Sequence, residues 1–178
     1  MQIKFMRSPE REMPVVAAAG DVTSMIVWHC KFATLRSLAS FTNLRALKIA
    51  TYPDASLEPL LGLNHLEWLS VVHLPKVNDL EPLTMLSKLV SLELATLPSW
   101  DASRKRQVVK SLHPLGRIPR LAHLALFGVI PEDKSLAPLE AISSLRTARV
   151  SGYPAKEMKR FYETTSLAND HVPPFPNA

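Results

Sequence analysis

The sequence predicts an α/β solenoid: a curved parallel sheet of about seven short strands, with short helices or turns on the convex side. Three observations carry this. The pattern Leu44-x-x-Leu47-x-Ile49 recurs as Leu66-x-x-Leu69-x-Val71, Leu89-x-x-Leu92-x-Leu94 and Leu121-x-x-Leu124-x-Leu126, with a weaker copy at Leu145-x-x-Ala148-x-Val150. Between the copies, apolar residues fall at every third position, as in Leu57, Leu60, Leu63, Leu66 and in Leu80, Leu83, Leu86, Leu89. Leucine supplies 27 of the 178 residues, the first compositional sign of a repeat.

Each element follows from one of these patterns. The x-Leu-x-Leu-x alternation buries two side chains per short strand, and three-residue spacing suits a tight helical turn facing the same interior. No repeat can bury that face alone, so neighbours stack. Carried backwards, the register places Val22, Met25 and Val27 on one strand, with Leu35, Leu38 and Phe41 on the return after it. Met13, Val16 and Ala19 then form the return before it, and Ile3 and Phe5 a first strand. The strand positions Ile3, Met25, Leu47, Leu69, Leu92, Leu124 and Ala148 lie 22, 22, 22, 23, 32 and 24 residues apart.

Asp54 or Ser56, Asn78 or Asp79, and Ser135 precede return segments as capping residues, with Pro59, Pro82 and Pro138 in the first turn, where a missing amide costs little. The 32-residue interval holds an insertion from Trp100 to Lys110. There Val108, Val109 and Leu112 suit an inward stripe and Arg104 to Arg106 an outward one, giving either a basic lip beside the concave face or a lengthened return helix. Residues 155–167, with Met158, Phe161 and Tyr162 on one side and Lys156, Lys159 and Arg160 nearby, read as an amphipathic capping helix. One domain therefore spans 1–170, with repeats over 1–153. A Pro-rich tail over 171–178 reads as a loose or extended segment rather than a peptide ligand.

In these motifs the chain resembles the leucine-rich repeat family, in its short 22-residue class, over roughly residues 1–153. The family places Asn or Cys five residues after the second leucine, where it hydrogen-bonds along the stack. Here that column reads Ser8, Cys30, Tyr52, Leu74, Leu97, Val129, Tyr153, and only Cys30 conforms. The turn amides and carbonyls must then be satisfied by water or by the backbone itself. The resemblance also gives Cys30 a buried, structural role rather than a reactive one.

Composition narrows the function classes. At 47% hydrophobic and 21% charged the chain is neither disordered nor collagen-like. Five glycines against 15 prolines disfavour glycine-rich nucleotide loops. A single cysteine permits no intrachain disulfide and fits a reducing compartment, and no apolar run suits a signal or a span, so the expected location is cytoplasmic. The net charge of +5 falls short of a nucleic-acid footprint unless it clusters on one face. The six histidines show no metal-ligand spacing, and neither a Gly-x-Ser-x-Gly elbow nor forced carboxylate pairs are present, so no cofactor, no metal and no enzymatic activity are expected.

The register instead sorts the side chains of the concave face into three columns: Gln2, Ser24, Ala46, Trp68, Ser91, His123, Thr147; Lys4, Ile26, Lys48, Ser70, Glu93, Ala125, Arg149; and Met6, Trp28, Ala50, Val72, Ala95, Phe127, Ser151. Large aromatics on a solvated sheet are costly unless something covers them, and they dominate interface energetics. The expected partner-binding residues are therefore Trp28, Lys48, Trp68, Val72, Glu93, His123, Phe127 and Arg149, with Trp68 exposed. The family resemblance implies recognition of a protein partner. Its sharper form is a stoichiometric inhibitor, such as a bacterial immunity protein covering a toxin, and the alternative is a passive scaffold or adaptor. A strand beginning near Ile3 leaves an edge for self-association.

Overall fold

Among the described residues nine strands follow in order: β1 (Gln2–Met6), β2 (Ser24–Trp28), β3 (Ala46–Ala50), β4 (Trp68–Val72), β5 (Ser91–Ala95), β6 (Gln107–Val109), β7 (His123–Phe127), β8 (Val129–Pro131) and β9 (Thr147–Ser151). The computed structural model describes residues 1–103 and 105–176. Seven of the strands form one parallel sheet in the order β1-β2-β3-β4-β5-β7-β9, while β6 and β8 pair separately. The register is that of the three sequence columns: Gln2 lies beside Ser24, Ser24 beside Ala46, Ala46 beside Trp68, and so on to Thr147. The inward residues Met25, Leu47, Leu69, Leu92, Leu124 and Ala148 are fully buried in one continuous core, against which Ile3 and Phe5 of the first strand pack partly buried.

The return segments are tight. Arg36–Ser40, Glu58–Leu60, Glu81–Met85 and His113–Arg117 are 3₁₀ turns, and the seventh rung uses the short helix α2 (Ala137–Glu140), preceded in chain order by α1 (Pro98–Ala102) in the insertion. A 3₁₀ turn eclipses side chains three apart, so Leu80, Leu83, Leu86 and Leu89 point into the same interior, and all are buried. Each turn opens on a side-chain oxygen that accepts from the amide two residues on: Thr34 from Arg36, Ser56 from Glu58, Asp79 from Glu81, Ser111 from His113 and Ser135 from Ala137. Asp54 instead reaches back one rung, accepting from the Thr34 hydroxyl at 2.6 Å and the Leu35 amide at 2.9 Å.

The turn after each strand has its own logic. Arg7, His29, Thr51, His73, Gly128 and Gly152 directly follow strands and have φ between 49° and 90°, bending the chain out of the sheet. Their amides extend the ladder by one bond: Arg7 to Trp28, His29 to Ala50, Thr51 to Val72, His73 to Ala95 and Gly128 to Ser151. The backbone thus meets the need that the family's Asn column would serve. Tyr52 and Tyr153 add hydroxyl bonds to the carbonyls of Ser56 and Val129, at 3.0 and 2.9 Å. Cys30 is half-buried against the core, its thiol donating to the Trp28 carbonyl at 3.7 Å.

The insertion is not a lengthened return helix: after α1 the chain forms β6, paired in parallel with β8. Strand alternation turns Gln107 and Val109 inward and leaves Val108 outward at 45% exposure, so Val108 is not part of the inward stripe. The Gln107 amide nitrogen donates to the Val77 carbonyl at 2.6 Å, tying the insertion to the rung before it. Arg104 lies outside the described residues.

The capping helix α3 (Ala155–Thr165) ends two residues before position 167, where Ser166 turns left-handed. Phe161 is fully buried, and Met158 and Tyr162 pack on the last rung. Arg160 bridges Glu157 and Glu140, and Glu157 accepts from the Leu136 amide at 2.7 Å. After the helix, Ala168 pairs with Thr147 and its carbonyl accepts from the Ala148 amide at 3.0 Å, covering part of the β9 edge.

Candidate functional site

The concave face carries all eight residues expected there, because the register holds on every strand. The structure does not leave them equally open. Trp68 projects from the face as its column requires, yet it is only 6% exposed. The expectation of an exposed Trp68 is corrected by residues 172–176, which cross the sheet and cover it. The Trp68 indole nitrogen donates to the Pro173 carbonyl at 2.8 Å, and the Phe175 ring meets the indole edge-on, with centroids 5.1 Å apart. Val172 is buried with Ala46, Trp68 and Ala125, and Phe127 and Phe175 flank that cluster. Of the loose or extended segment expected, it is not loose: it is seated across the face; Asn177 and Ala178 lie outside the described residues.

The path runs against the order of the strands. It leaves β9 at Ala168, passes Phe127 on β7, whose ring centroid lies 5.9 Å from that of His171, and reaches Trp68 on β4. Pro176 ends beside Ser24, Ala46 and Trp68. The floor beneath is made of small residues, Ala46, Ser70, Ser91 and Ala125, which are all buried.

The third column remains reachable. Trp28 is half-buried, and the Lys48 ammonium stands 5.5 Å above the centre of its ring, a cation–π contact across neighbouring strands. Val72 and Phe127 line an open apolar hollow of about 340 Å³ with Ala95, Thr96, Pro98 and Ser151. Glu93 accepts from the Ser70 hydroxyl at 2.9 Å, and His123 Nδ1 pairs with the Thr147 hydroxyl at 2.9 Å. Each therefore bonds an adjacent rung rather than the other. Burial, more than the nearby Arg146, holds the His123 ring below its ordinary value, against the opposing pull of Asp170. Arg149 is half-exposed on β9.

No protein-family model matches the chain, and no curated protein matches it. Solved structures do. An internalin C2 from Listeria monocytogenes str. 4b F2365 matches with a TM-score of 0.55 at 25% identity, over 76% of this chain and 55% of its own. The chain is a leucine-rich repeat solenoid. A second internalin from the same organism matches with a TM-score of 0.47 at 19% identity, over 82% of this chain and 46% of its own. The chain thus spans about half the length of the internalin structures it matches.

In this solenoid the residues that sequence reasoning missed are Val172, Pro173 and Phe175, which carry no repeat pattern. Two signals pointed to them: small residues surround Trp68 in its columns, and Val172 and Phe175 are apolar residues three apart among prolines. Among the described residues no group of three or more His, Cys, Asp or Glu can hold a metal ion, and no helix is long and apolar enough to cross a membrane.

Proposed function

We propose that this leucine-rich repeat solenoid is a non-catalytic module that recognises a protein partner through its concave face. The observation that carries the reading is the apolar third column, where Trp28, Val72 and Phe127 stay accessible on a rigid sheet with Lys48 seated over Trp28. Rigid aromatic anchors lose little conformational entropy on binding, and such residues concentrate interface energy. Lys48, Glu93 and Arg149, all half-exposed, supply charge beside them for orientation and encounter rate.

The sharper form of the proposal is stoichiometric inhibition, as by an immunity protein that occludes a toxin, acting in the cytoplasm. The alternative is a passive scaffold. Co-purification from the native host decides the first question. A partner held by the unaltered chain is expected to be lost with Trp28→Ala and with Val72→Asp, while melting and circular dichroism stay unchanged; retention by both variants would overturn the concave-face reading. Activity of the purified partner decides the second, since an inhibitor abolishes it at one-to-one stoichiometry and a scaffold leaves it intact. Self-association through β1, an edge of the sheet, belongs to the same proposal and is read by ultracentrifugation at high concentration.

A further inference from the structure

We infer that the groove over Ala46, Trp68 and Ala125 is a receptor for an extended, proline-containing segment of a partner protein with apolar anchors three residues apart, and that residues 172–176 are its resident occupant. This deepens the concave-face reading and rests on it. The spacing is the first support. Val172 is buried and Phe175 half-buried, while Pro173, Pro174 and Pro176 face solvent. That is a period of three, the repeat of the polyproline II helix, which turns every third side chain to the same side and which proline favours.

The backbone chemistry is the second support. A segment lying across a sheet's side chains cannot join the hydrogen-bond ladder, so each buried amide would be left unpaired. Proline removes that donor, and three of the five residues from 172 to 176 are proline. The Pro173 carbonyl accepts from the Trp68 indole nitrogen at 2.8 Å. Docking of a proline-rich backbone in an aromatic-lined groove is a recognised mode of peptide capture.

The track also continues past the occupant. Beyond Trp68 lies an open hollow of about 190 Å³ lined by Thr23, Ser24, Arg45, Ala46, Glu67, Trp68 and Pro176. The Ser24 hydroxyl, in a residue 3% exposed, has no hydrogen-bond partner among the described residues.

A tethered occupant competes at an effective concentration of about millimolar, so a free peptide meets a groove that is mostly filled. The test uses the full chain, a fluorescent synthetic peptide of sequence DHVPPFP and anisotropy as the readout. The variant V172D/F175D carries charge where the groove is apolar and so releases the segment. It is expected to bind the peptide at least about tenfold more tightly than the unaltered chain, and adding Trp68→Ala is expected to abolish that binding. Absence of saturable binding by the folded V172D/F175D chain would overturn the inference, as would binding indifferent to Trp68→Ala. Should the doubly charged variant lose its fold, F175A takes its place in the same measurements. A concentration-dependent dimer of the unaltered chain that V172D/F175D abolishes would assign the groove to a second copy and also overturn it. None of these outcomes touches Trp28 or Val72, so failure here is separate from failure of the concave-face reading.

Discussion

The Trp68 indole and the Pro173 carbonyl are 105 residues apart in sequence and 2.8 Å apart in space. This bond fastens the middle of the sheet to a segment that leaves its last strand. Trp68→Phe keeps a ring beneath Phe175 but removes the donor and part of the buried indole surface. It is expected to cost more than about 0.5–1.5 kcal/mol, the usual net worth of the bond alone, in urea unfolding. Amide exchange at Val172 and Phe175 should speed up in the same variant, while exchange in β3 stays protected.

Gly128 gives a sharper stability test. Its φ is +67°, and a Cβ there would lie 2.6 Å from the Thr96 hydroxyl oxygen. Gly128→Ala combines a left-handed residue with this clash and is expected to cost more than about 1–2 kcal/mol. Gly20→Ala is the control, because nothing lies within 4 Å of its Cβ position. A fall in Tm for the first and none for the second is the expected result.

The insertion can be checked by charge. Val109 is fully buried on β6 and Val108 is exposed beside it. Val109→Asp places an unpaired carboxylate in the core and is expected to cost several kcal/mol, about 3 or more, whereas Val108→Asp should stay within about 0.5 kcal/mol. Equal effects would mean that residues 107–109 do not alternate as a strand.

Acid should loosen the capping helix. The Arg160 guanidinium, with help from the Leu136 amide and against the opposing effect of burial, holds the Glu157 carboxyl at about 2, below its ordinary 4.5. The native state therefore resists protonation more than the unfolded chain does. The stabilisation is complete above about pH 4.5 and disappears as pH falls from there towards 2. Glu157→Gln is expected to flatten that part of the Tm-against-pH curve and to lower Tm near neutrality.

A second pH window belongs to His73. Burial first, and the His29 charge second, hold its ring below the ordinary 6.5. Here the unfolded chain binds the proton more readily, so stability is complete above about pH 6.5 and declines below it. His73→Asn tolerates the left-handed backbone at that position and should make the slope below about pH 6.5 shallower, with His123 still contributing, as read by thermal melts.

Most of the fold was legible because a solenoid writes its register once per rung. Leu47, Leu69 and Leu92 set the inward positions, and every residue between them then fell into its column. The insertion was harder, since a short apolar run such as Val108-Val109 fits a helix or a strand equally well. The state of Trp68 was not legible from its own rung. Its direction follows from alternation, but its burial depends on Val172 and Phe175, which belong to no repeat and meet it only through the return path from β9. The small neighbours Ala46, Ser70 and Ser91 record that something lies close above, without saying what.

A stack of rungs ordinarily holds together only through adjacent pairs, so its last member can peel away alone. The stretch from Ala168 to Pro176 alters that, because it leaves the final rung and is anchored on the fourth. It acts as a bowstring drawn across the arc. Fraying at β9 must then unseat Trp68 as well, which couples rungs that never touch, and whatever replaces the bowstring inherits control of how stiffly the arc is held.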